Sequence, residues 1–163
     1  MARILVTGAD GYIGSHVVKT AAEHGHQVYA IDKSVTGNFQ EVKQYCRKFY
    51  INDLTTGWWG GNGYDAIIHL GAKIDVHEST RKPSSYYTTN IYGTINMLNR
   101  NFTDHFILAS TGAAFDPVSP YARSKIAAED VVKELSHDYS IFRFFNVAGA
   151  NGFRQTGKAT HLI

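Results

Sequence analysis

Apolar runs alternate along the chain with segments of helical periodicity. Several runs, such as ILV, AIIHL and FILA, are almost continuously hydrophobic, which is typical of strands covered on both faces. The pattern predicts six strands, at residues 3–7, 28–32, 48–52, 66–70, 105–109 and 141–146. It predicts four helices, at residues 13–24, 38–47, 84–101 and 121–136. This alternation predicts an α/β fold in which helices cover both faces of a doubly wound parallel sheet.

A glycine-rich stretch, TTGWWGGNG at residues 55–63, interrupts the pattern and predicts a loop or a single turn between two strands. Neither a repeat nor a low-complexity segment divides the chain, so we predict one domain over residues 1–150. Residues 151–163 then form a short C-terminal tail. The sequence from Gly149 onward is glycine-rich and polar, and we expect little of it to pack.

Composition narrows the class of protein. Of the 163 residues, 44% are hydrophobic and 18% are charged, which is ordinary for one globular domain with a core. The formal net charge of +2 is too small to indicate a nucleic-acid partner. Cys46 is the only cysteine, which excludes an internal disulfide and favours a reducing compartment. No apolar run reaches the roughly 20 residues of a membrane span, so we expect a cytoplasmic protein with no membrane partner.

Eight histidines raise the question of a metal site. His24 and His26 flank a glycine in a turn, and His77-Glu78 lacks the second histidine of an HExxH pair. No metal-ligand spacing recurs, so we predict solvated or core histidines and no metal site.

Three glycines, Gly8, Gly11 and Gly14, lie between the first predicted strand and the first predicted helix. Glycines at such a junction allow a tight turn, close approach of a pyrophosphate and close packing of the helix on the strand. The exposed N–H groups at the start of the helix then favour negative phosphates. The strand before and the helix after predict a Rossmann-type dinucleotide site.

An acidic residue, Asp32, ends the second strand 18 positions beyond Gly14. A carboxylate there accepts hydrogen bonds from both adenosine ribose hydroxyls and repels a 2′-phosphate, which favours NAD over NADP, although Lys33 is adjacent. Asp53 follows the third strand. It either accepts hydrogen bonds from the adenine amino group or caps a turn or helix, and the sequence does not separate the two.

Tyr121 and Lys125 are four residues apart at the start of the fourth predicted helix, where Ser119 or Pro120 suits the boundary. Side chains at this spacing share a helix face, about 5–6 Å apart at Cβ. A nearby ammonium and the positive helix start favour the phenolate, so Tyr121 is a candidate base. The alternative is an ordinary amphipathic helix.

A third reactive group is expected where the fifth strand ends, because open α/β sheets bind ligands at the carboxyl ends of their strands. That strand ends in Ser110 and Thr111. Ten residues could span roughly 33 Å, so the short loop from Thr111 to Tyr121 permits a shared site without requiring one.

Several segments together resemble a known family. They are TGADGYIGSH, NDL at 52–54, HESTRKPSSYYTTNIYGT at 77–94, STGAAF, YARSK and RFFNVAGA. In this order, over residues 2–150, they resemble the extended short-chain dehydrogenase/reductases, and within these the nucleotide-sugar epimerases of the UDP-glucose 4-epimerase type.

The resemblance implies roles for individual residues. Thr111, Tyr121 and Lys125 would be catalytic, with Thr111 hydrogen-bonding the sugar hydroxyl and Asn146 touching the sugar nucleotide. Asn90 would fix the cofactor end of the site. The cofactor-binding residues would be Gly8, Gly11, Tyr12, Ile13, Gly14, Asp32, Lys33, Asp53, Leu54, Leu70, Asn90, Tyr121 and Lys125.

The implied reaction is NAD-dependent epimerisation of a UDP-sugar at C4 through a 4-keto sugar, with Tyr121 as the base. Sister enzymes that eliminate water carry an acidic pair after the strand-end threonine, but this chain has Gly112 and Ala113 there. The resemblance also implies a homodimer through the helices at 84–101 and 121–136. Tyrosines and apolar residues in the first of these could instead pack on the sheet.

This chain also departs from the family in several respects. The loop from Thr111 to Tyr121 is shorter than usual, and a frequent family lysine meets Ile74, with Lys73 adjacent. The chain has about half the family's length. Its tail at 151–163 resembles the point at which family members enter their substrate-binding region. Three alternatives therefore stay open: a non-catalytic NAD-binding module, an NAD-dependent reductase or dehydrogenase of a smaller carbonyl or sugar, and a fragment of a longer gene product.

Overall fold

The computed structural model describes residues 1–56, 61, 63–100, 103–149 and 153. All six predicted strands are present, and none of their ends differs from the predicted one by more than two residues. The strands are β1 (Arg3–Thr7), β2 (Gln27–Asp32), β3 (Lys48–Ile51), β4 (Tyr64–His69), β5 (Thr103–Thr111) and β6 (Tyr139–Phe144). In the predicted loop at 55–63, residues 57–60 and 62 lie outside the described residues.

The six strands form one sheet in the order β3-β2-β1-β4-β5-β6, and every neighbouring pair is parallel. The chain runs outward in one direction from β1 to β3 and in the other from β4 to β6. This arrangement confirms the predicted doubly wound sheet. Its switch point lies between β1 and β4, where such sheets bind ligands at the carboxyl ends of the strands.

The helices differ more from prediction than the strands do. They are α1 (Tyr12–Glu23), α2 (Phe39–Val42), α3 (Val76–Arg81), α4 (Pro83–Tyr87), α5 (Gly93–Arg100) and α6 (Pro120–Leu135). A 3₁₀ turn continues α2, and a second one, Gly112–Phe115, follows β5. A single π-helical turn, Thr88–Tyr92, joins α4 to α5. In the described part of the chain, no helix has the length and apolar character needed to cross a membrane.

Two helix predictions need correction. The helix predicted at 38–47 is only a short α-helix and a 3₁₀ turn, and the one predicted at 84–101 is broken by the π turn. The sequence pattern also missed α3, whose N-terminus is capped by the Asp75 carboxylate accepting the Glu78 N–H at 2.7 Å. This cap was visible in the sequence as an acidic residue three positions before a glutamate.

Each face of the sheet has its own hydrophobic core. One cluster joins Leu5, Ile67 and Phe106 of the sheet to Ala128 and Val132 of α6. Tyr86 and Met97 are fully buried, and Met97 belongs to this cluster, so these two side chains pack within the chain. The predicted homodimer through the same helices stays a prediction.

The second cluster joins strand residues such as Val6 and Val28 to Val18 of α1. Phe153 belongs to it and is only 8% exposed, with its ring edge-on to His16 at a centroid distance of 5.0 Å. The expectation that the chain beyond Gly149 packs little is therefore wrong at Phe153, because an aromatic ring gains from burial even in a polar segment.

Strand β6 forms an edge of the sheet with exposed aromatic side chains. Ile141 packs on the α6 side, and because side chains alternate along a strand, Phe142 and Phe144 point to the opposite face. There Phe142 is 50% and Phe144 37% exposed. Within the described residues, α6 covers Ile141 on one face of β6, whereas the other face of this strand is open at Phe142 and Phe144.

Candidate functional site

The turn between β1 and α1 is built from closely approaching backbone atoms. Gly8 has a φ of +68°, a conformation that favours glycine, and a Cβ there would lie 2.8 Å from the Gly71 nitrogen. A Cβ on Gly14 would lie 2.0 Å from the Gly8 carbonyl oxygen. Glycine is therefore required at both positions by contacts of this chain itself.

An open cavity of about 570 Å³ begins at this turn and runs along the carboxyl ends of the strands. This volume lies within the range of small-molecule and cofactor sites. Its lining includes every predicted site residue except Asn90, namely Gly8, Gly11, Tyr12, Ile13, Gly14, Asp32, Lys33, Asp53, Leu54, Leu70, Thr111, Tyr121, Lys125 and Asn146. The fold thus brings the glycine turn and the Tyr121 region to one cavity.

The Asp32 carboxylate lies at the end of β2, close to the glycine turn. It accepts the N–H groups of Asp10 at 3.1 Å and Ser34 at 3.2 Å. Burial raises the pKa of Asp32, and these backbone donors partly offset that rise. The two N–H donors fix the carboxylate beside the cavity, where it can accept ribose hydroxyls.

Asp53 has a structural role of its own. Its Oδ1 accepts the Thr55 N–H at 2.8 Å and the Thr55 hydroxyl at 2.7 Å, which closes a turn after β3. These bonds and the positive charge of Lys33 lower the pKa of Asp53. Because Asp53 also lines the cavity, the turn role does not exclude a contact with a bound base.

Helix α6 begins as predicted. The Ser119 hydroxyl accepts the Ala122 N–H at 3.1 Å, and Pro120 occupies the first helical position. This start places Tyr121 and Lys125 one turn apart at the cavity. Burial lowers the pKa of Lys125 to about 8, and the charge of Glu129 opposes that change.

Tyr121 and Thr111 act on each other across the short loop. Burial raises the pKa of Tyr121, whereas the hydroxyl of Thr111 nearby opposes that rise. Thr111 stays at the end of β5, and its side chain also accepts the Ala113 N–H at 3.2 Å, which starts the 3₁₀ turn. The loop is therefore short enough to bring the two hydroxyls together.

A buried histidine connects the end of β1, just before the glycine turn, with α5. The Thr7 hydroxyl oxygen accepts the N–H groups of Leu70 and Gly71 at 3.1 and 2.9 Å, so we assign its proton to the bond with His69 Nδ1 at 2.9 Å. His69 Nε2–H then donates to the Thr94 hydroxyl at 3.1 Å. Burial, followed by the charge of Lys125, lowers the pKa of His69 to about 3, so the ring stays neutral.

Asn90 lies behind the cavity wall rather than in it. In the π turn, its side-chain oxygen accepts the Lys73 N–H at 2.8 Å, and its amide group donates to the Lys73 carbonyl at 3.0 Å. The amide also donates to the Ser124 hydroxyl at 2.9 Å, and Ser124 donates to the Tyr121 carbonyl at 2.7 Å. Asn90 therefore supports the wall and the start of α6, and its predicted contact with the cofactor stays a prediction.

Sequence reasoning missed several residues that shape the cavity. Gly71 contacts Gly8, and the Lys73 ammonium pairs with Glu78 at 3.4 Å and lies 5.3 Å from the Tyr86 ring centroid. Behind Lys125, the buried Glu129 bonds to two strands. The one sequence signal for Glu129 is its position four residues beyond Lys125 on a helix face that is otherwise apolar.

The residues at the glycine turn fit a dinucleotide such as NAD. No side chain projects from the glycine positions of the turn. The backbone N–H groups at the start of α1 are therefore accessible to a pyrophosphate. Asp32 supplies the acceptor for ribose hydroxyls at the end of β2. These are the donors and acceptors that this cofactor requires.

Residues 4–163 match the family model of the NAD dependent epimerase/dehydratase family. A UDP-glucose 4-epimerase of Streptococcus mutans is 32% identical, over 98% of this chain and 57% of its own length. The solved UDP-Glc/GlcNAc 4-epimerase of Campylobacter jejuni aligns with a TM-score of 0.80 at 28% identity, over 98% of this chain and 59% of its own. A UDP-glucose 4-epimerase of Thermus thermophilus in complex with NAD gives 0.72 at 25% identity, over 86% and 54%.

The chain thus spans a little over half the length of these relatives. The family model covers it almost from end to end, and the similarity extends over the whole described sheet. The chain belongs to the NAD dependent epimerase/dehydratase family.

Proposed function

We propose that this chain binds NAD and carries the proton-transfer residues for epimerisation of a UDP-sugar at C4. The observation that carries the proposal is that Thr111, Tyr121 and Lys125 line the same cavity as the glycine turn and Asp32. Proton transfer and dinucleotide binding therefore have a shared space of about 570 Å³. The similarity to relatives named as 4-epimerases of UDP-sugars supports this choice of substrate class.

In this proposal, each residue acts on a sugar hydroxyl or on its neighbour. Tyr121, as phenolate, removes the proton from the 4-hydroxyl and returns it in the reverse step. Thr111 donates a hydrogen bond that stabilises the phenolate and orients the hydroxyl. Lys125 supplies a buried ammonium that favours the same charge state. Bound NAD would supply the acceptor and donor of the C4 hydride, held by the glycine turn and Asp32.

A turnover experiment tests this proposal. The chain is incubated with UDP-galactose and NAD, and UDP-glucose is detected by chromatography. We expect NAD-dependent product, and a fall of about 10²- to 10⁴-fold in Tyr121→Phe, because the base is removed without a change of shape. NAD binding by calorimetry is measured on both proteins, so that a loss of turnover is distinguished from a loss of cofactor binding. The proposal is wrong if the unsubstituted chain makes no more product than Tyr121→Phe.

One observation favours a second candidate, a module that binds NAD without turnover. Phe144, Phe145 and Val147 line the cavity on the β6 side, yet all three are substantially exposed. A site open to water positions a substrate poorly and screens the charges that assist proton transfer. In the same experiment, calorimetry that shows NAD binding, together with no UDP-glucose above the Tyr121→Phe level, would support this candidate.

A further inference from the structure

A buried carboxylate lies behind the reactive residues. Glu129 is only 2% exposed and sits on α6, four residues beyond Lys125. Its Oε1 accepts the Ser110 hydroxyl at 2.5 Å and Arg143 Nε at 2.9 Å, and its Oε2 accepts Arg143 Nη2 at 2.7 Å. A buried charge is tolerated only when it is paired and hydrogen-bonded in this way.

These bonds tie three elements together beneath the cavity. Ser110 precedes Thr111 at the end of β5, and Arg143 belongs to β6, whereas Glu129 belongs to α6. The carboxylate therefore connects the strand that carries Thr111 with the helix that carries Tyr121. A change at Glu129 can alter the distance between these two hydroxyls without touching either.

The same carboxylate is the anion next to Lys125. Tyr121, Lys125 and Glu129 follow one another at intervals of four along one face of α6, and Lys125 is only 4% exposed. The other charged or titratable groups around this pair are His69 on β4, Arg143 on β6, Asp130 and Lys133 on α6, and Lys73 on the cavity wall with its partner Glu78. Asp130 pairs with Lys133 at 2.9 Å and Glu78 pairs with Lys73 at 3.4 Å, so Glu129 is the carboxylate that acts on Lys125.

We propose that Glu129 is a positioning residue for the proton transfer. It holds α6 against the ends of β5 and β6, and its buried charge keeps Lys125 as an ammonium beside Tyr121. The catalytic consequence rests on the proposed function, but the charge state of Lys125 is a property of this chain and is measured without turnover.

The electrostatics of the two groups agree with this geometry. Burial lowers the pKa of Lys125, and Glu129 is the group that opposes the change. Burial alone would raise the pKa of Glu129, but the bonds from Arg143 and Ser110 outweigh it and lower that pKa. Glu129 thus stays ionised, and its removal leaves Lys125 with no compensating charge.

The test is Glu129→Gln, which keeps the size and the hydrogen-bonding oxygen of the side chain but removes the charge. Side-chain NMR of isotope-labelled lysine follows the titration of Lys125 in the whole chain, with and without NAD. The Lys125 signal is assigned with Lys125→Arg. We expect the Lys125 pKa to fall by about one unit or more, a tenfold change in its proton affinity. The matched control is Glu134→Gln, which removes an exposed charge from the same helix and should leave Lys125 unchanged.

A merely structural role gives a different result. Glu129→Gln would then lower the unfolding temperature while Lys125 titrated at the same pH as in Glu134→Gln, and that result would overturn the proposal. If the single variant does not fold, Glu129→Gln combined with Arg143→Gln removes both charges of the ion pair. Arg143 is 33% exposed and its charge is better screened, so the Lys125 pKa should still fall.

Turnover and NAD affinity are measured on the same samples. A fall of the Lys125 pKa without turnover in any variant supports the role of Glu129 and contradicts the proposed function. Turnover by the unsubstituted chain with an unchanged Lys125 pKa in Glu129→Gln contradicts only the role of Glu129.

Discussion

The glycine turn after β1 and the first two turns of α6 line the same cavity, yet they hold their shape in different ways. At the turn, backbone atoms of Gly8, Gly14 and Gly71 approach so closely that a single added carbon atom would not fit. At α6, Lys125 and Glu129 are buried charged side chains, and Glu129 is held by hydrogen bonds and an ion pair to Ser110 and Arg143. We therefore expect substitutions that add volume to destabilise the turn, and substitutions that remove charge to disturb the α6 region.

The largest effect is expected from Gly14→Ala, which tests the volume side of this comparison. The new Cβ would lie 2.0 Å from the Gly8 carbonyl oxygen, so α1 must move away from β1. We expect a loss of about 3–5 kcal/mol in the free energy of unfolding, because backbone rather than a flexible side chain must shift. Urea unfolding followed by circular dichroism measures the loss, and NAD affinity should fall with it.

Gly25→Ala is the control for Gly14→Ala. Gly25 has a φ of +82°, which disfavours alanine, but a Cβ there would meet no atom within 4 Å. We expect a loss of about 1 kcal/mol from backbone strain alone. If both variants lost the same free energy of unfolding, the close approach of residue 14 to the Gly8 carbonyl oxygen would not limit packing at the turn.

A medium effect is expected at His69, whose hydrogen bonds join Thr7, next to the glycine turn, to Thr94 of α5. The folded state keeps this ring neutral down to a pKa of about 3, whereas an unfolded histidine binds a proton at about 6.5. Protons therefore favour the unfolded state below pH 6.5, and stability is lost as the pH falls from 6.5 towards 3. By pH 4 this group alone should cost about 3 kcal/mol.

The measurement compares urea unfolding at pH 7 and pH 4 for the unsubstituted chain and for His69→Gln. Glutamine does not titrate, so the loss between the two pH values should be smaller by about 3 kcal/mol in that variant. His24→Gln is the control, because His24 is exposed and bonds to a helix carbonyl. If the three proteins lose equal stability, the folded chain does not hold His69 neutral in the way that its burial indicates.

The contrast between the two regions also explains how far the sequence could predict the site. The positive φ of Gly8 and the contact between Gly14 and Gly8 are local, because a strand, a tight turn and a helix follow one another within a few residues, so the pattern alone predicts the turn. The contact between Gly8 and Gly71 is not local. The same holds for Asp32 at the end of an apolar run. Tyr121 and Lys125 were predictable in the same way, from their spacing on one helix.

The partners of those residues were not predictable, because they are distant in sequence. Glu129 meets Ser110 and Arg143 only when three elements pack, and His69 meets Thr94 across 25 positions. The π turn at Asn90 had no local signal either, since its asparagine bonds to the Lys73 backbone 17 residues earlier. The pattern of apolar residues therefore predicted which strands form, and tertiary contacts decided how the helices break.

The smallest effect is expected at Asp53, which extends the comparison to the proposed adenine end. Asp53→Asn keeps an oxygen that accepts both Thr55 donors, so the free energy of unfolding should change by less than about 1 kcal/mol. If the side chain also accepts the adenine amino group, loss of the charge weakens that bond, and the dissociation constant of NAD should rise about 3- to 10-fold.

Calorimetric titration of NAD into Asp53→Asn and into Asp65→Asn separates the two roles of Asp53. Asp65 accepts the Arg3 N–H at 2.6 Å near the start of β4, away from the carboxyl ends of the strands, so its substitution should leave NAD affinity unchanged. An unchanged affinity in both variants would make Asp53 a turn residue only. Adenine binding would then depend on backbone groups and on Leu54. The charged side chains that matter for the cavity would be Asp32 and those of the α6 region.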